Sequence, residues 1–434
     1  MDMSVIKHWG QSAHHAVPVL LQDHRPVTAD AISERCADLS ADLRRAGARR
    51  LIVPTDRADH VVIGLLACQL ADCDLALHRG PAIAEGTLEA MQVDVMLTPD
   101  LKPALTGVRG AVRQGKSKII LMTSGTTGVP KAASHDVERL AGLVPGGSRG
   151  IVRWLLTYHP ASFAGFQVIL TALSGGTPLA ALSNPDVVAL AKLAVEFQPT
   201  SISGTPTFWR AFLLAIAGSE DAIPLRHATL GGEAVDQATL DLIRGRFPAS
   251  RVTHIYASTE AGAAFAVKDG RAGFPVDWLG TERDGLEVRV VDNVLQLRSP
   301  RRMERYVSGH DSPLRDDGWL DTGDLVTIDH DRVLFSGRKD SIINVGGQKV
   351  RPEEVETLIL RLPGVVDAHV KGIPNPITGQ LVGADIVAAP DIDETLIRQA
   401  VKALGKSLPA YAVPRVVRIV SELPVTLSGK KRRT

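Results

Sequence analysis

Between Leu121 and Lys131 the chain reads Leu-Met-Thr-Ser-Gly-Thr-Thr-Gly-Val-Pro-Lys, which packs four hydroxyl side chains, two glycines and a lysine into one short stretch. The apolar run up to Met122 reads as a strand. A strand ending in Thr123, Ser124, Gly125, Thr126, Thr127 and Gly128 offers N–H groups and hydroxyls to an anion, with Lys131 as the cation. A triphosphate is the natural guest. The spacing is not that of a Walker loop, which needs Gly, four residues, then Gly-Lys-Ser/Thr. A polar surface turn uses the same residue types, so this stretch by itself leaves both readings open.

Further segments could add to the same chemistry. They are Gly231-Gly-Glu-Ala234, Tyr256-Ala-Ser-Thr-Glu260, Gly318-Trp-Leu-Asp-Thr-Gly-Asp324, and Gly337-Arg-Lys-Asp340 running on through Asn344-Val-Gly-Gly-Gln-Lys349 to Glu354. Leu423-Pro-Val-Thr-Leu-Ser-Gly-Lys430 closes the set. In this order and at these intervals they resemble the adenylate-forming superfamily of acyl- and aryl-CoA ligases, stand-alone adenylation domains and luciferases. The likeness runs from about residue 118 to the C-terminus, roughly three-quarters of the chain.

The resemblance implies ATP, Mg²⁺ and CoA, or the phosphopantetheine of a carrier protein, as the small-molecule partners. A carboxylate would attack the α-phosphate of ATP, and such transfer is mainly positioning and charge neutralisation. The residues from Thr123 to Lys131 would hold the β- and γ-phosphates. Thr259 would donate to the α-phosphate, and Glu260 would ligate Mg²⁺, a hard cation suited to carboxylate oxygen. Asp324 would accept from the ribose hydroxyls, with Arg338 beside the ribose and phosphates. Gly231 and Gly232, with Glu233 after them, would let adenine approach the backbone, and Tyr256 is the candidate stacking face. Lys430 would neutralise charge on the α-phosphate and the attacking carboxylate. Asp340 would be the hinge about which a C-terminal unit turns between half-reactions, bringing Gly346-Gly347 toward the pocket.

These residues need elements to position them. Leu51–Val53, Val93–Leu97 and Ile119–Met122 read as strands, and Thr28–Ala46, Asp59–Leu70, Asp186–Phe197 and Asp236–Phe247 as helices. The alternation predicts an α/β body with largely parallel sheets and ligands at the carboxyl ends of strands. After Gly285 the pattern shifts to a hairpin around Asp292-Asn293. Beyond it come a helix over Pro352–Leu362, strands over Asp367–Gly372 and Val382–Val387, and a helix over Asp393–Leu404. The expected fold is thus a large N-terminal α/β domain over 1–338, with shortened N-terminal subdomains, and a small mobile α+β domain over 339–434.

Composition sets outer bounds. The chain has 434 residues, a formal net charge of +1 and 44% hydrophobic residues, which gives no electrostatic reason for a nucleic-acid or membrane partner. The apolar segment Val61–Ala71 is too short to span a bilayer. Lys430-Lys-Arg-Arg433 reads as a solvated basic end. Cys36, Cys68 and Cys73 lack zinc-type spacing and point to reduced, buried thiols in a cytoplasmic protein.

Local departures bear on the acid. Ala257 stands where the family has glycine and should narrow the acyl pocket. Ser162 occupies the position of a histidine found in many CoA ligases, with His159 nearby as a candidate substitute. No Asp or Glu lies between Arg153 and Ser183 to pair with a substrate ammonium, which disfavours α-amino acids. Tyr158, Phe163, Phe166 and Trp209 offer apolar surface for a small aryl or short aliphatic acid, and the resemblance places Gly231 and Ala257 at the same pocket. Transfer to a carrier protein in trans, and a nucleotide binder without catalysis, are the competing readings.

Overall fold

The computed structural model describes residues 18–111, 115–123, 131–141, 152–307, 313–389 and 392–423. Two large sheets dominate the part before residue 270. The first has seven strands, with Lys118–Thr123, Asp74–Arg79, Arg50–Thr55 and Val95–Leu97 running parallel at its centre. The second has eight, with a parallel centre that includes Trp154–Leu156, Ser201–Gly204, His227–Gly231 and Arg251–Ser258.

Helices between and around these sheets form where periodicity and caps agree. Helix Ala29–Arg45 is capped by Thr28, whose hydroxyl accepts from the Ala31 N–H, and it buries Ile32, Cys36, Leu39 and Leu43 at helical spacing. Ser162, Asp186, Thr205 and Asp236 cap four later helices in the same way, each cap contributing about 1 kcal/mol. Helix Ala58–Ala71 holds the run read as too short for a membrane. It is apolar on nearly every side, as expected of a helix enclosed in a core. Among the described residues no helix is long and apolar enough to cross a membrane. The three cysteines are buried and unpaired with one another, and burial pushes the Cys36 thiol up to about 12.

A third sheet of five antiparallel strands spans residues 274 to 338. Its Glu287–Val291 and Val294–Arg298 form the expected hairpin, and Asp292 and Asn293 both take positive φ, 51° and 61°. That geometry is the one a two-residue turn needs. A fourth sheet gathers Ile343–Val345, Gln348–Val350, Val365–Asn375, Gly379–Ala388 and Val416–Val420. Helices Pro352–Ile359 and Glu394–Ala403 cover it, burying Val355, Ile359, Ile397 and Val401 with Val370 and Ile386. Several boundaries differ from the sequence expectation. The strand expected at Val93–Leu97 begins at Val95, and that at Asp367–Gly372 extends to Val365–Asn375, lengthened by its long pairing with Gly379–Ala388.

One buried ion pair ties the fourth sheet to the large sheets. Arg210 on helix Pro206–Ala215 meets Asp367 at 2.7 Å, and each side chain is only 7% exposed. Arg210 also meets Asp236 at 3.3 Å and donates to the Thr239 hydroxyl at 2.8 Å.

Candidate active site

The two strands that flank the hydroxyl-rich stretch pair with each other. Lys118–Thr123 pairs antiparallel with Lys131–Asp136, and Thr123 lies opposite Lys131. The stem therefore fixes where the cation starts, at the carboxyl edge of a parallel sheet. Ser124, Gly125, Thr126, Thr127 and Gly128 lie outside the described residues, as does Lys430.

Thr259 and Glu260 sit in the turn between Arg251–Ser258 and Gly262–Val267. The turn is held by the Ser258 hydroxyl, which accepts from the Ala261 N–H at 3.0 Å, and by the Met303 N–H, which donates to the Glu260 carbonyl at 2.8 Å. Tyr306 donates its hydroxyl to Glu260 Oε1 at 2.8 Å, and the Lys131 ammonium lies 5.6 Å from the centre of the same ring. One tyrosine thus connects the lysine of the first stretch to the carboxylate of another. Burial and then the Glu260 charge raise the pKa of the Tyr306 hydroxyl, so it stays a protonated donor. Sequence reasoning missed Tyr306. It follows an arginine-rich run and pairs with Ala133 in the strand that begins at Lys131, a register that no local pattern reveals.

Asp324 and Arg338 face each other across adjacent strands. Arg338 Nη1 meets Asp324 Oδ1 at 2.8 Å and Arg338 Nε meets Asp340 at 3.1 Å. Burial works against the guanidinium charge, and Asp324 and Asp340 together outweigh it. The Tyr256 hydroxyl donates to the other Asp324 oxygen. Burial and the Asp324 charge hold that phenol well above its ordinary pKa. The carboxylate is therefore oriented from two sides before any ligand arrives.

The Tyr256 ring sits in an aromatic cluster. It is stacked on Phe265 and on Phe335, with centroids 5.2 Å away in each case and interplanar angles of 14° and 5°. Tyr256 is half-buried and aligns Asp324 through its hydroxyl.

Gly231 and Gly232 end the strand His227–Gly231. Gly232 has φ +85°, and a Cβ on Gly231 would approach the Ile255 carbonyl to 3.2 Å. Glu233 accepts from the Thr207 N–H at 3.1 Å, at the start of the helix that carries Arg210. Tyr158 donates its hydroxyl to the Gly231 carbonyl at 3.3 Å, so it borders the same strand end. Burial raises the Tyr158 pKa.

Other expectations change. Trp209 is fully buried, with Nε1 donating to the Thr229 carbonyl at 2.9 Å and its ring packed on Phe208 and Phe212. It is core and lines no pocket. Phe166 is likewise without exposed surface, whereas Phe163 keeps 8% and lies 6.1 Å from the ring of His135. Phe166 can therefore shape a pocket only from behind. Ser162 caps a helix. His159 donates from Nε2 to Asp56 at 2.8 Å and accepts at Nδ1 from the Ala161 N–H at 3.1 Å, so both ring nitrogens are spent on the fold. Ala257 sits at a register shift in its strand and packs on the main core.

Residues 19–302 match the model of AMP-binding enzymes, and residues 354–430 match that of the AMP-binding enzyme C-terminal domain.

The chain belongs to the AMP-binding enzyme family.

Among proteins similar to this AMP-binding enzyme is a 3-hydroxybenzoate–CoA ligase of Aromatoleum sp. (strain CIB), 28% identical over 71% of this chain and 63% of that one. A naringenin synthase of Pestalotiopsis fici is also 28% identical, over 92% of this chain but 15% of its own length. The chain thus spans less than two-thirds of the length of these relatives. A crystal structure of the anthranilate CoA ligase AuaEII in complex with anthranoyl-AMP shares the fold at 19% identity, with a TM-score of 0.79 over 99% of this chain and 97% of that chain. The α/β architecture with a C-terminal AMP-binding unit is that of the adenylate-forming superfamily.

Glu260 is the carboxylate in this site that suits a magnesium ion. Among the described residues no three His, Cys, Asp or Glu side chains cluster as a metal site. Mg²⁺ is usually held by one or two carboxylates together with phosphate oxygens and water, and Glu260 can fill that place with acceptor sites to spare.

Proposed function

We propose that this AMP-binding enzyme activates a small carboxylic acid, aryl or short aliphatic, with ATP and passes the acyl group to CoA as a thioester. A carboxylate oxygen forms a bond to the α-phosphorus, the bond to the β-phosphate oxygen breaks, and pyrophosphate leaves. The thiol then attacks the acyl carbon, and AMP departs with the electrons of the mixed-anhydride bond.

In this reading Lys131 and the preceding hydroxyl residues bind the β- and γ-phosphates. Thr259 donates to the α-phosphate, and Glu260, oriented by Tyr306, would hold Mg²⁺. The ion would offset charge on the phosphates when bound. Asp324 accepts from the ribose, Gly231 to Glu233 border adenine, and Lys430 neutralises charge in the adenylation step. Tyr158, Phe163 and Ala257 border the acyl group. Residues 339–434 form the unit that turns about Asp340. The observation that carries the reading is the Lys131–Tyr306–Glu260 contact, which joins a phosphate-binding candidate to a metal-binding candidate from segments over a hundred residues apart.

Similarity to a hydroxybenzoate ligase favours an aryl acid. The absence of Asp and Glu between Arg153 and Ser183 disfavours an amino acid, and the carboxylates that reach this segment from elsewhere are engaged: Asp56 by His159 and Asn184, Asp23 by Ser183 and Arg57, and Glu233 by the Thr207 N–H. Loading of a carrier protein is the alternative second half-reaction. Pyrophosphate release over a panel of acids tests the first half; highest turnover with long-chain fatty acids would exclude the small-acid assignment. Lys430→Ala should lose adenylation while keeping thioester formation from supplied acyl-adenylate, and equal loss of both would refute the separation of steps. Free CoA against carrier protein then identifies the acceptor.

A further inference from the structure

Arg79 ends the strand Asp74–Arg79 and stands level with Thr55 on the neighbouring strand. Residues two apart on a strand share a face, so it continues the inward row of Leu75 and Leu77, which pack between the two large sheets. The strand on its other side ends at Thr123, where the hydroxyl-rich stretch begins. Arg79 therefore lies at the carboxyl edge of the parallel strands, where α/β sheets bind ligands.

Among the described residues the cation there has no counter-charge. It is half-buried, and burial pulls its basicity below the ordinary value. Among the described residues it meets no carboxylate and donates no hydrogen bond. Only Asp2, Asp311 and Asp391 carry carboxylate side chains outside the described residues. Asp56, which follows Thr55, accepts from His159 Nε2 at 2.8 Å and from Asn184 Nδ2 at 2.7 Å. By contrast, the buried guanidiniums of Arg50, Arg210 and Arg332 each meet a carboxylate at 3.1 Å or less. A desolvated charge is costly unless paired, so an unpaired one at a strand end points to a ligand of opposite charge.

We propose that Arg79 forms an oxyanion subsite, separate from the Thr123–Lys131 stretch, that takes a carboxylate or phosphate group carried by a substrate. The proposal rests on the adenylating reading for its substrates. The oxyanion is a second carboxylate on the acid, a phosphate of the thiol acceptor, or the pyrophosphate end of ATP, and the chemistry of recognition is the same for all three.

Arg79→Gln and Arg79→Lys in the full chain test it. Without ligand, Arg79→Gln should unfold at the same or a higher temperature than the parent chain, because removal of an unpaired charge costs the fold nothing. Inorganic phosphate and malonate should raise the melting temperature of the parent chain more than that of Arg79→Gln. In kinetics, one KM should rise about 10- to 100-fold, with partial rescue by Arg79→Lys, while the others stay within twofold. A dicarboxylic against a monocarboxylic acid, CoA against pantetheine, and an ATP titration identify which source it is. The subsite is overturned if both chains respond alike to phosphate and malonate, or if Arg79→Gln melts several degrees lower and all KM values shift together. Should the parent chain show no carboxylate-dependent exchange, the adenylating reading fails by itself, and the stabilisation by phosphate and malonate still decides the subsite.

Discussion

The Arg210–Asp367 pair permits a quantitative test of how the C-terminal sheet is held. Removing one partner of a buried ion pair typically costs about 3–5 kcal/mol, because the remaining charge is stranded. The two halves of this pair are not equivalent. After Asp367→Asn, Arg210 keeps Asp236 at 3.3 Å and the Thr239 hydroxyl at 2.8 Å, so the loss should fall to about 2 kcal/mol. After Arg210→Met, Asp367 and Asp236 both lose their cation, and Asp367 is only 7% exposed, so the loss should reach about 4 kcal/mol. Urea denaturation read by circular dichroism checks this, with the midpoint of the first transition as the readout. Arg210→Met should lower that midpoint roughly twice as far as Asp367→Asn. Equal effects, or a larger effect of Asp367→Asn, would refute the view that Arg210 serves two carboxylates.

His135 gives a pH test. It is 1% exposed beside the Thr259 backbone, and burial lowers its pKa to about 4 from an ordinary 6.5. The unfolded chain therefore takes up a proton that the folded chain refuses. Stability from this group is complete above pH 6.5 and falls as pH drops toward 4, by up to about 3 kcal/mol. His135→Phe should flatten the stability profile in that window, and an unchanged slope in denaturation series from pH 7 to 4 would exclude the assignment. Tyr306→Phe removes the hydroxyl that orients Glu260; it should raise the Mg²⁺ concentration needed for half-maximal pyrophosphate release about tenfold, with stability changed by no more than about 1 kcal/mol. No change in the metal dependence would separate Tyr306 from the site.

Much of the local structure was legible in the order of residues. Asp292-Asn293 between alternating strands marked a hairpin because both residues tolerate the positive φ that the turn demands. Thr28, Asp186 and Asp236 marked helix starts because a short side-chain oxygen reaches an orphan N–H two or three residues on. The site was legible in part. Asp324 and Arg338 stood out by motif, yet their direct pairing depends on strand register. The ring partners of Tyr256, Phe265 and Phe335, come from separate strands, so their stacking was not legible in the sequence. Trp209 was misjudged because an aromatic residue near a pocket segment looks the same in sequence as one in the core.

Residue types, caps and turn chemistry act over a few bonds, and so the chain by itself determined many of its helices and its hairpins. Charge partners are chosen over long separations. The segment from Arg153 to Ser183 holds no carboxylate, yet Asp56 reaches it through His159; Arg210, on a helix, finds Asp367 on the fourth sheet; Arg79 finds none among the described residues. Only the tertiary structure decided these, because packing sets which strand ends meet, and the cost of burying a charge depends on what it meets there.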